Sequence, residues 1–478
     1  NKEEYFTEHG IKKLQKTTEI IKIKDEKPIT YDILRTHNGP ILSGDIFQLS
    51  TIRPNGHAIS LSWTGFDNKD RTIEALIHLM KSESIDQAAN KFDIITVPGN
   101  NILLADNQNI AIYTVGKLPK RNPNHSTKGR MPALGWKEHN SWSGYFPYKI
   151  NPKTQNPRSG TIINTNNKTI DASFPKHISF DWSDSQRVIR VTNLIRKRQF
   201  HTVNSFVEIQ TDTVSISARI LLPLLAQDLW FNDPPNNSNT SERLKYEILS
   251  LLSDWNGDMN QNGAEPLIYA TWLHEFQQLL IKDNLGTTRY LLNSARPLFL
   301  ERVLRNKNGA AEWCDIVQTE AVETCSKIAS NALDIAVEKL RREYGETMTR
   351  WRWGDAHIAI HKSHLFGNWP LLSFISNIVH EISGGDHTVM MSRANSAGDK
   401  PFLVNYGSVM RAIYDFSENE NSLFIISTGQ SGHILSRHYD DQAELWQKQQ
   451  YIPMEYSYNS NQGGTLGLTK FNLGEPPN

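Results

Sequence analysis

STGQSGHILSRHYDDQAELW, residues 427–446, sets Ser431 between two glycines and follows it with histidines and aspartates. The fold turns on whether this is a nucleophile elbow, with Ser431 attacking, His433 or His438 as base and Asp440 or Asp441 as orienter. A Gly-x-Ser-x-Gly elbow needs a glycine two residues on either side of the serine, so that a strained strand-to-helix turn exposes the hydroxyl. Here Gly432 follows Ser431 immediately. The histidines and aspartates also crowd into the next ten positions, whereas working triads are assembled from distant segments. The stretch therefore reads as a Gly-rich turn leading into a helix, DDQAELWQKQ, with Asp440 and Asp441 favourable near its N-terminal dipole. The fold has to be read from the rest of the chain.

Upstream of this turn, SLFIIST, HTVMMS and RWRWGDAHIAI have strand-like composition. Before them, Ser185 to about Tyr344 is largely helical. Residues 117–160 are rich in Pro, Gly, Asn and aromatics, a long loop region of the kind that is usually functional or disordered. Nearer the start, TEIIKIK and PITYDILRT pattern as strands around a KDEK turn. TIEALIHLMKSESIDQAANKF patterns as helix, with Ser84-Ile85-Asp86-Gln87 as a capping box. IITV, ILLA and IAIYTVG then predict a meander. The C-terminal tail is polar and Gly-rich. Strands, then helices, then strands again predict one α+β domain whose sheets draw on both ends of the chain.

With 478 residues, 38% of them hydrophobic and 21% charged, the chain is a folded protein rather than a disordered one. Lys+Arg and Asp+Glu are both 51, so net charge gives no reason to expect nucleic acid or an anionic membrane as partner. No apolar run reaches the ~20 residues of a membrane span. The polar start, NKEEYFTEHGIKKLQK, is not a signal peptide; such a peptide could have been removed or lie upstream. Cys314 and Cys325 are the two cysteines. In one continuous helix they would lie ~16 Å apart, too far to bridge. If Thr319 caps the long helix that Gly345 ends, Cys314 falls on the preceding loop and a bridge to Cys325 becomes possible.

Three further stretches carry polar side chains at suggestive spacing. DWNGDMNQNGAE (254–265) puts Asp254, Asn256 and Asp258 at alternating positions and Glu265 twelfth, as in a calcium loop. Met259 stands where the turn glycine should be, which favours an Asn/Gly-rich inter-helix loop. HIAIHKSH offers His357, His361 and His364. Its apolar residues suit a strand, on which the first two would share a face some 13 Å apart, too far for one metal. NPRSGTIINTNNKT (156–169) sets Asn164, Asn166 and Asn167 after an apolar run. Buried amides make good oxyanion donors, yet Asn-Asn is also ordinary turn chemistry.

Taken in order, seven stretches resemble the β chain of the penicillin acylase family of N-terminal-nucleophile amidohydrolases. They are RTHNGPIL (35–42), NPRSGTIINTNN (156–167), FDWSDSQRV (180–188), WCDIVQTEAVETC (313–325), WRWGDAH (351–357), GGDHTV (384–389) and GQSGHILSRHYDDQAELW (429–446). The resemblance implies an αββα sandwich, with 1–190 and 346–478 forming the sheets and 191–345 a large helical elaboration. It implies that the opening stretch is framework, and it favours a Cys314–Cys325 disulfide, since such pairs occur here in extracytoplasmic members. Periplasmic or secreted location in a bacterium follows from the same comparison.

The family's catalysis starts at a serine that autoproteolysis leaves at the head of the β chain. Its own α-amine, with a pKa near ~8, serves as base. Matched on GTIINTNN, the asparagine that holds the oxyanion is Asn166. The site-ordering arginine matches Arg187. Thr165, before Asn166, stands where some members have an aromatic or small residue. No counterpart of the nucleophile is present, since NKEEYF corresponds to a point several tens of residues into a family β chain. The α chain, the early β-chain residues and most ligands of the calcium site known in some members would then lie elsewhere. The later acidic calcium ligand has no clear counterpart around ASFPKHISF, so no metal or other cofactor is assigned. The expected function is hydrolysis of an acyl–amine amide by the complete enzyme, with this chain alone inactive. The alternatives are a non-enzymatic relic acting as a binding or assembly module, and a self-sufficient serine hydrolase using Ser431.

Overall fold

The computed structural model describes residues 3–44, 46–47, 49–170, 176–230, 240–286, 296–394 and 398–455. The polar C-terminal tail after 455, and Ala172–Pro175 of ASFPKHISF, lie outside them. The chain divides into two compact units: Asn1–Ile162 with Lys168–Trp182, and Ile163–Asn167 with Ser183–Asn478.

In the first unit, Gln15–Ile21 and Ile29–Thr36 pair antiparallel around the KDEK turn, in register from Gln15↔Arg35 to Ile21↔Ile29. The unit's core lies further on. Helices Thr72–Met80 and Ile85–Ala89 supply Ala75, Ile85 and Ala88 to a cluster with Ala111, Tyr113 and Val115. These last three are the inward positions of strand Ile110–Val115, whose alternate residues are buried, as a half-buried strand requires. Ser84 caps the second helix by accepting the Gln87 N–H at 3.2 Å. The Gln87 side chain, however, accepts from Glu83 N rather than closing a box onto Ser84.

The meander differs from expectation in one strand. Asn100–Ala105 and Ile110–Val115 pair as predicted, but the third strand is Lys153–Gln155, from the loop-like region 117–160. IITV does not pair. Phe92–Ile94 is a short 3-10 turn, Ile95 plugs the core, and the Thr96 N–H donates to the Thr72 hydroxyl at 3.0 Å. An apolar run buried under helices has no need of a strand partner, and composition does not separate the two cases.

The second unit holds the main core. Helix Glu265–Leu285 begins with Pro266 in its first turn and buries residues around most of its circumference, among them Leu267, Trp272, Phe276 and Leu280. A helix apolar all round belongs at the centre of a bundle. It packs along Cys325–Tyr344, where Ile328, Ala329, Ala332, Leu333, Ala336, Val337 and Leu340 form one buried stripe. Small alanines in that stripe allow close approach, and the Trp272 indole N–H donates to the Ala329 carbonyl at 2.8 Å.

Helix Cys325–Tyr344 starts at Thr324, not Thr319. The Thr324 hydroxyl accepts the Lys327 N–H, and Gly345, at φ 88°, ends the helix. Thr319 instead hydrogen-bonds the Glu323 carboxylate and the Ile316 carbonyl in the preceding turn. Cys325 is thus the first helical residue, and it is disulfide-bonded to Cys314 with the Cα atoms 5.0 Å apart. The bridge closes a loop with a sequence separation of 11 beside the core. Replacing both cysteines by alanine is expected to lower unfolding free energy by about 3 kcal/mol. Denaturant unfolding of that double variant, with no loss beyond error, would show the bridge to be dispensable.

Two sheets complete this unit. In the four-stranded one, Ile378–Glu381, Ile358–His361, Val404–Gly407 and Ser392–Ala394 lie in that order, with the central pair parallel. The other joins Met410–Ile413, Leu423–Ile426 and Ile452–Pro453, all antiparallel. Ala359, Ile382, Ile425 and Trp446 form one buried cluster that packs residues of both sheets together. RWRWGDAHIAI is only partly strand: Trp353–Ala356 is a helical turn before Ile358–His361. HTVMMS forms strand only from Ser392, because the Thr388 hydroxyl accepts the Gly385 N–H and donates to Met390 O, holding a turn.

WRWGDAH and GGDHTV are framework held by one another. The Trp353 indole donates to the Gly384 carbonyl at 2.9 Å and stacks on the His357 ring at 4.3 Å. His357 is fully buried; its Nδ1–H donates to Phe402 O at 3.0 Å and its Nε2 accepts from the Ser392 hydroxyl at 2.8 Å. Burial lowers its pKa from 6.5 to about 4, so the ring is neutral in the fold. Between those values the unfolded chain binds the extra proton. The contribution is therefore whole above pH 6.5 and is lost as pH falls toward 4, by roughly 3 kcal/mol. Urea unfolding from neutral pH to pH 4 should show this slope, and His357→Gln should flatten it. Equal slopes in the two proteins would remove His357 as its source.

Candidate active site

The segment Ile163–Asn167 belongs to the second unit. Its asparagines divide their work. The Asn164 side chain accepts the Asn166 N–H at 2.9 Å, and the Asn167 side chain accepts both the Thr165 N–H and hydroxyl at 3.1 Å. These two interlocked turns place Asn166 at φ 63°, a left-handed conformation that asparagine tolerates better than other residues with a side chain. The Asn166 carbonyl accepts the Ser183 N–H at 2.9 Å, which ties the segment to the chain entering the next helix. Turn chemistry and a free amide, which the sequence offers as rivals, are both present here.

That helix, Gln186–Arg196, carries Arg187 in its first turn. Arg187 Nη2 donates to the Thr165 carbonyl at 2.5 Å and to Asn166 Oδ1 at 3.3 Å. With Oδ1 accepting from the guanidinium, Nδ2 is left as the amide's donor, and it makes no hydrogen bond to the described residues. Asn166 is exposed and Arg187 half-buried. Burial pushes the guanidinium below its ordinary value, with Tyr406 opposing. The arrangement is a neutral N–H donor of fixed orientation beside a fixed positive charge, which suits a developing oxyanion.

One turn on, Arg190 fixes the helix. Its Nε and Nη2 donate to the two Asp212 carboxylate oxygens at 2.9 and 2.6 Å, with both side chains 11% exposed. The hydrogen bond to Asp212 raises the Arg190 pKa despite burial. Sequence reading missed this pair. The Arg187-x-x-Arg190 spacing places both on one helical face, but nothing local points to Asp212.

The other candidates are taken up in local hydrogen bonds. The Ser431 hydroxyl accepts the His433 N–H at 3.1 Å, and His438 Nδ1 instead meets Asp441 at 2.7 Å. Gly429 is required where it stands, since a Cβ there would lie 2.1 Å from the His438 carbonyl oxygen. In 254–265, Asn256 and Asn260 accept the N–H groups of Asp258 and Asn262, and Met259 is buried in the main core. His357 precedes its strand, away from the position expected for it. Among the described residues, no group of three or more His, Cys, Asp or Glu is placed to hold a metal ion. None of the described helices is long and apolar enough to cross a membrane.

Comparison with known proteins bears on the family and the fold. The family model for penicillin amidase matches residues 1–462. Acyl-homoserine lactone acylase QuiP of Pseudomonas aeruginosa is 23% identical over 470 residues, covering 91% of this chain and 54% of that protein. Penicillin G acylase of Escherichia coli is 23% identical over 482 residues, covering 93% and 52%. The chain thus spans about half the length of the curated relatives it matches. A solved structure of thermostable penicillin G acylase from Alcaligenes faecalis aligns with TM-score 0.71 at 19% identity, over 100% of this chain and 85% of that one. The fold is accordingly the α+β fold of the N-terminal-nucleophile hydrolases, and the chain belongs to the penicillin amidase family.

Proposed function

We propose that this chain is the greater part of the β chain of an acylase that hydrolyses the amide between an acyl group and an amine, such as a β-lactam nucleus or a homoserine lactone. The observation that carries this reading is the Arg187–Asn166 contact, which leaves a preoriented amide donor free. A serine on polypeptide beyond this chain, exposed by autoproteolysis, attacks the carbonyl, and its α-amine takes the hydroxyl proton. Charge develops on the carbonyl oxygen, where Asn166 Nδ2 donates beside a backbone N–H of the missing part. The α-ammonium passes that proton to the leaving nitrogen, and collapse breaks the C–N bond and expels the amine. A water that gives its proton to the freed α-amine then attacks the acyl-serine, releasing the acid and restoring the serine hydroxyl. Arg187 holds the amide and, as a nearby positive charge, keeps the attacking α-amine deprotonated.

The partners in this reading are an α chain and the earlier part of the β chain. A bacterial periplasmic or secreted setting is supported by the disulfide. No metal or other cofactor is assigned to these residues. Intact-mass analysis of the protein from its source cells, followed by amide hydrolysis assays on penicillin G and an acyl-homoserine lactone, tests the proposal. The expected result is a longer chain starting at serine, travelling with a second subunit and releasing acid. A mature polypeptide that begins at Asn1 and runs alone would leave only the relic, a binding or assembly module.

A further inference from the structure

A cavity of about 120 Å³ is lined by residues of strands Ile358–His361, Val404–Gly407 and Met410–Ile413, with Met390 and Trp446. Arg411 forms part of its wall and is 5% exposed. A guanidinium offers five N–H donors. Nη2 donates to the Trp446 carbonyl at 2.5 Å, Nη1 meets the weakly accepting Met390 sulfur at 3.4 Å, and buried Nε has no partner. The guanidinium carbon lies 5.6 and 5.5 Å from the ring centroids of Trp446 and Tyr451, which soften the charge without neutralising it.

The contrast with Arg190 is direct. That arginine, similarly buried, has both oxygens of Asp212, whereas Arg411 has no carboxylate partner among the described residues. Burial pushes Arg411 below its ordinary value, and the opposing influence comes from the Tyr451 phenol. On the same cavity wall, His361 Nε2 is also buried without a partner. Unmet polar groups of this kind cost stability unless a partner arrives.

We infer that this cavity binds a carboxylate group, held by Arg411 with His361 beside it. A carboxylate presents two coplanar oxygens to the guanidinium fork. The volume is several times the ~10–15 Å³ that a single water needs, enough for a carboxylate on a short stem. It falls well short of the ~300 Å³ at which pockets for drug-sized molecules begin. Two sources supply that chemistry: a small free acid, or an Asp or Glu side chain of polypeptide beyond this chain. The inference stands on the cavity and is independent of the acylase reading.

Thermal unfolding of the full chain in sodium acetate, against sodium chloride at equal ionic strength and pH, tests it. Acetate should raise the midpoint saturably, by about 2 °C at tenfold its half-saturating concentration. Arg411→Met should abolish the response. Arg411→Lys, which keeps the charge but loses the fork, should weaken it severalfold and decides the matter if the methionine variant does not fold. The same titration on protein isolated with its companion polypeptide separates the sources. A retained response identifies a free acid as ligand, and a lost one identifies a side chain already seated there. No acetate-specific response in the wild-type chain, or an unchanged one in the folded variants, overturns the site.

Discussion

Asn166→Ala in the complete enzyme is expected to lower kcat by about 10²–10³ while KM changes little. An oxyanion donor acts where charge appears in the transition state, so its removal leaves substrate binding almost untouched. Alanine also loses the tolerance for φ 63°, which Asn166 adopts between the turns made by Asn164 and Asn167. Asn166→Asp separates the two effects. Aspartate accepts left-handed backbone and keeps an oxygen for Arg187, but it offers no N–H and places a negative charge beside the oxyanion. If donation is the function, the aspartate variant is at least as slow as the alanine variant. If the turn is what counts, aspartate restores activity and the role assigned to Asn166 is lost. An unchanged kcat in Asn166→Ala would remove that residue from the mechanism altogether.

How far the sequence carries depends on the range of the physics. The helix ending at Gly345 was legible because its buried stripe repeats at helical spacing and its stop residue tolerates positive φ. Its start was misplaced by five residues, since Thr319 and Thr324 have the same capping chemistry. The choice between them rests on Glu323, which engages Thr319 in the preceding turn. Lys153–Gln155 could not be foreseen as a strand: its three exposed polar residues pattern as loop, and only pairing with Ile110–Val115 makes them strand. Trp353–Ala356 has strand-like composition but turns helically, with the Trp353 and Gly354 N–H groups bonded to the Gly263 and Gln261 carbonyls. At the site, asparagine-rich chemistry was readable as a turn, and the family resemblance singled out Asn166 and Arg187. Their contact spans 21 residues of sequence, and no local pattern encodes it.

Asp212→Ala is expected to cost about 3–5 kcal/mol of stability, because it strands the Arg190 charge in a buried place. The pair is bidentate and both side chains are 11% exposed, so neither water nor another acceptor replaces the lost oxygens easily. Asp212 further accepts the Val214 N–H through its side chain and the Met390 N–H through its carbonyl, so the pair joins the helix to the segment before Ser392–Ala394. Denaturant unfolding measures the loss, and a cost below about 1 kcal/mol would mean that the pair behaves as an exposed one. Replacing both partners by apolar residues, Arg190→Met with Asp212→Leu, should recover most of the stability, since the uncompensated charge goes with its partner. Arg190 sits one turn after Arg187 on the same face of helix Gln186–Arg196. The apolar pair restores packing without the bidentate lock on that helix. In the complete enzyme, kcat should therefore remain reduced in the double variant even where stability has returned. Full recovery of both would show that the ion pair holds the fold and contributes nothing further to the placement of Asn166.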